Sequence, residues 1–308
     1  MCFRYYCMVA LSCFVLLQCR DKEEDIKATS DKEFQDYLVK QNITTPPTTE
    51  GLYYIETTAG TGIQPLSGDF VMLNLTGRLL SGKVTETNDS ILAHESAITS
   101  ACRVQYPVKC RVDSLSFDGL IIGVKMMKEG GKAKMVIPYS LAFGMYSING
   151  LPYYANFVYD VELVKVIKDP AQEDNTAFEH WLDSLGYAYS GTPDTLYYKD
   201  LTVGSGISPA NGDTVAIEYT MKLMDGTIID KVTKATEFIV GESFDGMNKG
   251  LKKMKQGGRA QFIVHRDFAF GSKGYSNAFY NYYWQQYIPP YSSLFIDVFM
   301  ADVIPAVY

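Results

Sequence analysis

The histidines and carboxylates of this sequence do not have the spacing that familiar metal sites or hydrolases require. The three histidines, His94, His180 and His265, are far apart and lack the neighbouring Cys or carboxylates of a metal site. Neither Glu86 nor Asp230 has a second acid nearby in sequence that would suggest a hydrolase. The pattern therefore argues against a metal site and against hydrolase chemistry.

A segment that occurs twice points to the organisation of the chain. The residues MKEGGKAKMVIPYSLAFG (127–144) return as MKQGGRAQFIVHRDFAFG (254–271), with identity at 8 of 18 positions. Matches continue on both sides, for example between Asp160 and Asp297 at an offset of 137 residues. A period of this length is the size of a domain, so the sequence predicts a duplicated domain.

We predict the first domain at residues 29–168 and the second at residues 169–308. The first copy carries about 17 extra residues, which we place in an insertion at 83–116. The second copy carries about ten extra residues in a loop at 272–287 that is rich in aromatic residues. The two copies are therefore expected to share a core and to differ in these two segments.

Both copies show the same succession of elements. An opening helix is predicted from the capping residues Ser30 and Thr176, and strands from short apolar or alternating runs between Gly-Asp and Asp-Gly turns. A second, short helix is predicted behind Asp118 and Asp245, each expected as the N-cap. Several strands over one short helix indicate an α+β fold with an antiparallel sheet.

Composition favours a folded protein and argues against a nucleic-acid binder. The chain is 47% apolar and 20% charged, which is enough to build a core. Its net charge is −7, and Lys and Arg are not gathered into the basic stripe that nucleic-acid binding requires. The 23 Tyr and 16 Phe residues suit strands and pocket walls.

The N-terminus has the features of an export signal. Residues 1–18 contain one charge, Arg4, and an apolar run that is too short to span a bilayer. The run ends at Cys19 and resembles a bacterial lipoprotein signal, in which this Cys is lipidated and residues 19–28 form a tether. Gln18 fits that pattern poorly, so a plain secretory signal or a signal anchor stays open. The acidic DKEED that follows resembles the tag of surface-exposed, Bacteroidetes-like lipoproteins. We expect a lipid anchor in the outer membrane, on its periplasmic or surface side.

Two cysteines remain outside the signal and its anchor. Cys102 and Cys110 are eight residues apart, and export implies an oxidising compartment that permits a disulfide between them. We predict this small bridged loop, with two free thiols as the alternative.

The ordered motifs of both copies resemble those of the FKBP-type peptidyl-prolyl cis-trans isomerases. The family's order is Tyr-Thr-Gly, D-G-x-x-F-D, G-W-E-x-G-L-x-x-M, G-x-[KR]-A, A-Y-G, I-P and F-D-V-E-L. Copy one shows LTG, DGLIIGVKMM, GKAKMVIP, LAFG and VYDVELVKV. Copy two shows YTM, DGTIID, DGMNKGLKKM, FAFG and FIDVFMADV. The resemblance implies two tandem FKBP-like domains, each an antiparallel β-sheet wrapped on a short α-helix.

The resemblance also implies an activity that needs no cofactor. Rotation about an X-Pro bond crosses about 18–20 kcal/mol because amide resonance is lost midway. No bond breaks, so an apolar pocket that holds the proline ring and favours the twisted imide is sufficient. The expected partners are proline-containing unfolded or extended polypeptides, and the expected role is isomerase and folding chaperone of the cell envelope.

Four residues of copy two correspond to family positions that supply the polar groups of the pocket or lie next to them. Tyr219 corresponds to the Tyr of the first pocket strand, and Phe244 to the position whose backbone N–H binds the substrate carbonyl. Ile229 replaces the Phe that precedes the pocket acid, and Asp230 keeps that acid.

Four more residues of copy two correspond to apolar walls. Met247 replaces the Trp that floors the pocket, and Phe270 replaces the Tyr of A-Y-G. Ile288 keeps an apolar wall, and Ile296 replaces the final wall Phe. The lost Trp surface and Tyr hydroxyl imply weaker activity than is usual in the family.

Copy one departs further from the family. Leu75 and Thr85 replace the pocket Tyr and Phe, which predicts a degenerate pocket whose catalysis is weak or lost. The candidate substrate-binding residues of copy one are Glu86, Phe117, Leu120, Phe143, Leu151 and Tyr159.

The aromatic loop at 272–287 leaves two interpretations open. It is either an enlarged lid over the pocket or a patch covered at an interface. Two alternatives to catalysis also remain, a polypeptide-binding module without activity and a surface protein whose aromatic loop binds glycans.

Overall fold

The computed structural model describes most of the chain as two compact units. Unit 1 ends at Val166 and unit 2 begins at Ile167, two residues before the predicted boundary. The predicted signal, the lipidation residue Cys19 and Cys102 lie outside the described residues, which are 23–96, 107–148, 150–186, 196–276 and 287–307. No helix within these ranges has the length and apolar character needed to cross a membrane.

Unit 1 is an antiparallel sheet with helices on its two faces. Its helices are α1 (residues 23–40), α2 (Ser90–Glu95) and α3 (Asp118–Met126). Its strands are β1 (Tyr53–Thr58), β2 (Phe70–Leu79), β3 (Val84–Thr87), β4 (Val108–Arg111), β5 (Lys132–Ile137) and β6 (Phe157–Ile167). The strand order is β1-β5-β6-β2-β3, and β4 also pairs with β2.

Unit 2 repeats this plan. Its helices are α4 (Pro170–Ser184) and α5 (Asp245–Lys253). Its main strands are β7 (Leu196–Thr202), β8 (Thr214–Leu223), β9 (Ile228–Ile239), β10 (Arg259–Val264) and β13 (Leu294–Ile304), in the order β7-β10-β13-β8-β9. A two-stranded piece is formed by β11 (Tyr275–Ser276) and β12 (Tyr287–Ile288). The predicted α+β class is confirmed.

One face of each sheet, here called the inner face, is covered by the short helix α3 or α5. A Cβ placed on Gly250 of α5 would lie 2.4 Å from the Phe262 ring of β10. A Cβ on Gly123 of α3 would lie 2.3 Å from the sulfur of Met135 of β5. Since real Cβ contacts do not fall below 3.0 Å, glycine is what allows each helix to lie this close to its sheet.

The opposite, outer face of each sheet is covered by the leading helix. In unit 2, Phe178 and Leu182 of α4 pack against Ile263 and Phe295. In unit 1 the matching buried cluster joins α1 to the outer face through Phe34, Leu38, Val136 and Val158. Each sheet is therefore enclosed between two helices, which buries apolar side chains on both faces.

The helix starts differ from those predicted. α1 is already helical at residue 23, so residues 23–28 of the predicted tether are helix, and Ser30 lies inside it. α4 begins at Pro170 behind Asp169, whose side chain accepts the N–H groups of Ala171 and Gln172 at 3.1 and 2.9 Å. The Asp-Pro pair was the sequence signal for this start, because Asp caps and Pro suits the first helical turn.

The short helices also begin one residue earlier than predicted. The N-caps of α3 and α5 are Phe117 and Phe244, and neither makes a side-chain cap bond. Asp118 and Asp245 are the first helical residues, where an acid still interacts favourably with the helix dipole.

The edge of the sheet differs between the units. β9 pairs with β8 along its whole length, whereas in unit 1 the same side of β2 pairs with two short strands, β3 and β4. The register makes Glu86 the counterpart of Asp230 and Cys110 the counterpart of Phe238. The predicted insertion at 83–116 thus contains both strands, and the residues without a counterpart lie between β3 and β4.

Candidate functional site

The inner face of the unit 2 sheet assembles an apolar surface beneath α5. Met221 of β8 lies opposite Ile296 of β13, which lies opposite Phe262 of β10. Tyr219 precedes Met221 by two residues on the same strand and therefore faces the same side. Ile296 is fully buried, and Met247 on α5 is 3% exposed. Tyr219 and Ile296 therefore lie on this face, and Met247 belongs to the helix that covers it.

One polar pair lies at this apolar surface. The Tyr219 hydroxyl donates to Oδ2 of Asp230 at 2.5 Å, and Oδ1 of Asp230 accepts the backbone N–H of Lys231 at 2.8 Å. Burial, and then the Asp230 carboxylate, raises the pKa of Tyr219 above its ordinary value. The hydroxyl therefore remains a donor at neutral pH, and the carboxylate is held in a fixed orientation.

Two residues near this pair complete its surroundings. Ile229 is partly buried beside Asp230 on the edge strand β9. The ring of Phe238, farther along the same strand, meets the Tyr219 ring edge-on with centroids 5.8 Å apart. Sequence reasoning missed Phe238, because only the strand register shows that it reaches Tyr219.

A second group of predicted residues gathers at the start of α5. The rings of Phe244 and Phe270 lie 5.0 Å apart, and the Phe270 ring lies 5.0 Å from that of Tyr275. Tyr275 pairs with Ile288 across β11 and β12, and Ile288 is 6% exposed. Phe244, Phe270 and Ile288 are thus joined through Tyr275, an aromatic residue of the loop 272–287, whose residues 277–286 lie outside the described ranges.

The side-chain amide of Asn248, which the sequence analysis did not single out, makes two hydrogen bonds to the backbone that precedes Phe244. Oδ1 of Asn248 accepts the N–H of Gly241 at 2.9 Å, and its Nδ2 donates to the carbonyl of Ser243 at 2.5 Å. Within the described part of the chain, no hydrogen bond engages the backbone N–H of Phe244. Unit 1 has Ile121 at the position of Asn248, and this aliphatic side chain cannot make the two hydrogen bonds.

The unit 1 site keeps its acid but changes the donor. The Tyr159 hydroxyl, from the last strand β6, donates to Oε2 of Glu86 at 2.9 Å. Burial raises the pKa of Glu86, and the Tyr159 hydroxyl partly offsets this. A Cβ on Gly77 would lie 2.4 Å from the Tyr159 ring, so glycine leaves the space that this ring fills. In unit 2, Met221 stands at the position of Gly77 and Ile296 at the position of Tyr159. The large side chain is therefore on the first strand of the pair in unit 2 and on the last strand in unit 1.

The remaining candidates of unit 1 form a cluster of aromatic rings. Phe117 meets Phe143, Phe157 and Tyr159 with ring centroids 5.1, 5.7 and 5.6 Å apart. Leu120 is 2% exposed on α3. Leu151 lies outside this ring cluster in a turn, where its N–H donates to the carbonyl of Ile148 at 2.9 Å.

The predicted disulfide is not formed. Cys110 is a free thiol, 6% exposed, at the position that Phe238 holds in unit 2. Burial, and then the charge of Glu86, raises the pKa of Cys110 to about 12. The thiol side chain belongs to the buried part of the sheet, and its predicted partner Cys102 lies outside the described residues. Across these residues no three His, Cys, Asp or Glu side chains come together as a metal site would require.

Comparison with known proteins identifies the family. The sequence pattern of the FKBP-type peptidyl-prolyl cis-trans isomerases matches residues 62–164 and 206–301, which together exceed half of the chain. The chain belongs to this family. The two matched segments also confirm that it carries FKBP domains in tandem.

Individual relatives cover the chain in part. The FKBP-type isomerase FkpA of Escherichia coli (strain K12) is 32% identical over 150 residues, which are 49% of this chain and 50% of FkpA. Outer membrane protein MIP of Legionella longbeachae is 36% identical over 84 residues, which are 26% of this chain and 36% of that protein. The chain therefore spans about half or less of the length of these FKBP relatives.

Two solved structures are similar to parts of the chain. The crystal structure of E. coli FkpA aligns with a TM-score of 0.40 and 28% identity, over 52% of this chain and 70% of that one. The structure of the three FKBP domains of wheat FKBP73 aligns with a TM-score of 0.33 and 21% identity, over 84% of this chain and 97% of that one.

Proposed function

We propose that this FKBP-family chain is a peptidyl-prolyl cis-trans isomerase and that unit 2 is its catalytic domain. The observation that carries the proposal is the Tyr219–Asp230 hydrogen bond at the apolar inner face. The free N–H of Phe244 supports it, because a substrate carbonyl needs such a donor.

The reaction follows from these groups without a cofactor. A proline ring would lie beside Tyr219, against the apolar layer to which the buried Met247 and Ile296 belong, and its imide would lose water there. Loss of water disfavours the planar, strongly polar amide relative to the twisted form. The N–H of Phe244 would hold the peptide by its carbonyl. Each 1.4 kcal/mol of preference for the twisted form raises the rate about tenfold.

Unit 1 is proposed as a domain with little or no catalysis. The carboxyl group of Glu86 accepts a hydrogen bond from the Tyr159 hydroxyl, and the Tyr159 ring packs in the aromatic cluster around Phe117. A proline ring entering there would have to separate aromatic contacts that are each worth about 0.5–1.5 kcal/mol. The cost falls on binding in unit 1 alone, because Tyr159 has no aromatic counterpart in unit 2.

The proposed substrates are proline-containing unfolded or extended polypeptides of the cell envelope. An export signal at residues 1–18 and a lipid on Cys19 would place the protein at the outer membrane. Changing Cys19 to Ser should move the protein from the membrane fraction to the soluble fraction after cell lysis. Retention in the membrane fraction would contradict lipidation at this residue.

A protease-coupled assay on a proline peptide, with the full chain, tests the activity. We expect acceleration by the wild type, a large loss in Asp230→Ala and little change in Glu86→Ala. No acceleration by the wild type, together with binding of an unfolded polypeptide, would favour the non-catalytic binding module. That alternative is favoured by one observation, namely that Met247 and Phe270 replace the usual Trp and Tyr.

A further inference from the structure

A buried carboxylate on α4 joins both ends of one loop in unit 2. Oδ1 of Asp174 accepts the N–H of Ser293 at 2.8 Å, and Oδ2 accepts the Ser293 hydroxyl at 2.7 Å. The same Oδ2 accepts Nη1 of Arg266 at 3.1 Å, and the backbone N–H of Arg266 donates to Oγ of Ser293 at 3.0 Å. The side chains of Asp174 and Arg266 are 5% and 12% exposed, so water screens this ion pair little.

The loop held in this way carries part of the candidate site. Arg266 lies two residues after β10 ends, and Ser293 comes immediately before β13 begins. Between them lie Phe270, Tyr275 and Ile288, the residues gathered at the start of α5. Because α4 is packed on the outer face of the sheet, its carboxylate is a fixed point for both stems of the loop.

The same three positions are joined in unit 1. The N–H of Tyr139 donates to Oδ1 of Asn156 at 2.8 Å, and Nδ2 of Asn156 donates to Oγ of Ser30 at 2.8 Å. Ser30, Tyr139 and Asn156 are the repeat counterparts of the helix residue and the two stem residues of unit 2. A leading helix therefore braces the same loop in both units, with neutral groups in unit 1 and with an ion pair in unit 2.

We propose that α4 is a positioning element of the unit 2 site, with Asp174 as its positioning residue. The inference rests on the proposed function, and it gives the leading helix a role in that function. Without the carboxylate, Ser293 loses its acceptors on α4, whereas the Arg266 guanidinium keeps its bonds to the carbonyl of Ala171 and to Oδ1 of Asn175. The Ser293 stem is then tied to the Arg266 stem through its hydroxyl but no longer to α4, so Phe270 can shift from Phe244. A displacement of about 1 Å at a site can cost about a hundredfold in rate.

The test uses the full chain with three variants. Asp174→Ser introduces the counterpart residue of unit 1, Ser30, without the Tyr and Asn that accompany it there. Asp174→Ser/Arg266→Tyr/Ser293→Asn installs the whole neutral network of unit 1. Leu182→Ala removes core packing from the same helix and leaves both stems bonded. The kcat/KM for a proline peptide is measured below the unfolding temperature of each variant.

We expect Asp174→Ser to lower kcat/KM about ten- to a hundredfold and the triple variant to recover most of this loss. Leu182→Ala should unfold at a lower temperature and yet keep kcat/KM while folded. An unchanged kcat/KM in folded Asp174→Ser, or an equal loss in Leu182→Ala, would overturn the inference. If Asp174→Ser does not fold, Asp174→Asn keeps one acceptor oxygen, and the same comparison applies with a smaller expected loss.

A wild type without activity would refute the proposed function. The bracing of the loop by Asp174 would then be tested separately, by hydrogen exchange. The N–H of Tyr291 donates to the carbonyl of Gly271 across the loop at 2.9 Å. Under native conditions its hydrogen exchange should accelerate in Asp174→Ser more than the change in global stability explains. Exchange that follows global stability alone would refute the bracing role of Asp174.

Discussion

Removal of one hydroxyl in each unit gives the sharpest test of which unit catalyses. Tyr219→Phe deletes the donor to Asp230, and Tyr159→Phe deletes the donor to Glu86. The two changes are chemically identical, and both remove a Tyr–carboxylate hydrogen bond, of 2.5 and 2.9 Å respectively. Tyr159→Phe is therefore a matched control within the same chain.

The magnitude follows from the type of bond. A hydrogen bond to a charged acceptor contributes about 1.5–3 kcal/mol. Tyr219 is 8% exposed, but Asp230 is more open to water, so we take the lower end of this range. A loss of about 1.5 kcal/mol in transition-state binding corresponds to roughly a tenfold loss of kcat/KM. We expect this loss in Tyr219→Phe and less than a twofold change (roughly) in Tyr159→Phe.

The assay is isomerisation of a proline peptide by the full chain between pH 6 and 8. The raised pKa of Tyr219 keeps its hydroxyl protonated throughout this range, so the difference between the variants should not depend on pH. Unfolding by denaturant serves as the control, because both variants should lose similar stability. Equal kcat/KM losses in the two variants, or none in Tyr219→Phe, would refute the assignment of catalysis to unit 2.

Three further predictions concern single contacts. Asn248→Ile, which copies unit 1, should raise KM at least severalfold by releasing the backbone before Phe244; an unchanged KM in steady-state assays would contradict this role. Gly77→Met should destabilise unit 1 by about 1–3 kcal/mol in urea unfolding, and adding Tyr159→Ile should restore most of the loss, whereas simple additivity would show that the two positions do not compensate each other. Burial lowers the pKa of His265, so the folded chain resists protonation and its unfolding free energy should fall as pH drops below about 6.5; His265→Gln should flatten this profile in thermal unfolding at pH 5 to 8, and an equally steep variant profile would rule His265 out as its cause.

Much of the fold could be predicted because its signals are local. The alternation of FVYDVELVKV predicted a strand, and β6 spans Phe157–Ile167. An Asp at the start and the apolar spacing of DGLIIGVKMM and DGMNKGLKKM predicted two short helices, and the structure explains their glycines by close approach to the sheet. Residues that are adjacent in sequence decide these features, so an internal repeat and a period of two residues were sufficient.

The candidate site could be predicted only as far as the family motifs reach. Tyr219, Asp230, Phe244 and Phe270 were expected in one site; Tyr219 contacts Asp230, and Phe244 contacts Phe270. The exchange of the acid's donor to Tyr159 in unit 1 was not foreseen, since that residue is 73 positions from Glu86. Cysteine spacing likewise did not show that Cys110 lies as a buried free thiol in the sheet, at the position that Phe238 holds in unit 2.

The sequence by itself determined the duplication, the α+β class and the apolar character of the site, since each depends on residue type at short spacing. Tertiary structure alone decided which side chains meet across the sheet. Asp174 bonds Arg266 and Ser293, which are 92 and 119 positions away in sequence. Asn248 makes hydrogen bonds to the backbone at Gly241 and Ser243, a contact that no sequence motif predicted. Such contacts depend on strand register and on how each helix packs, and both are set by the whole core of a unit.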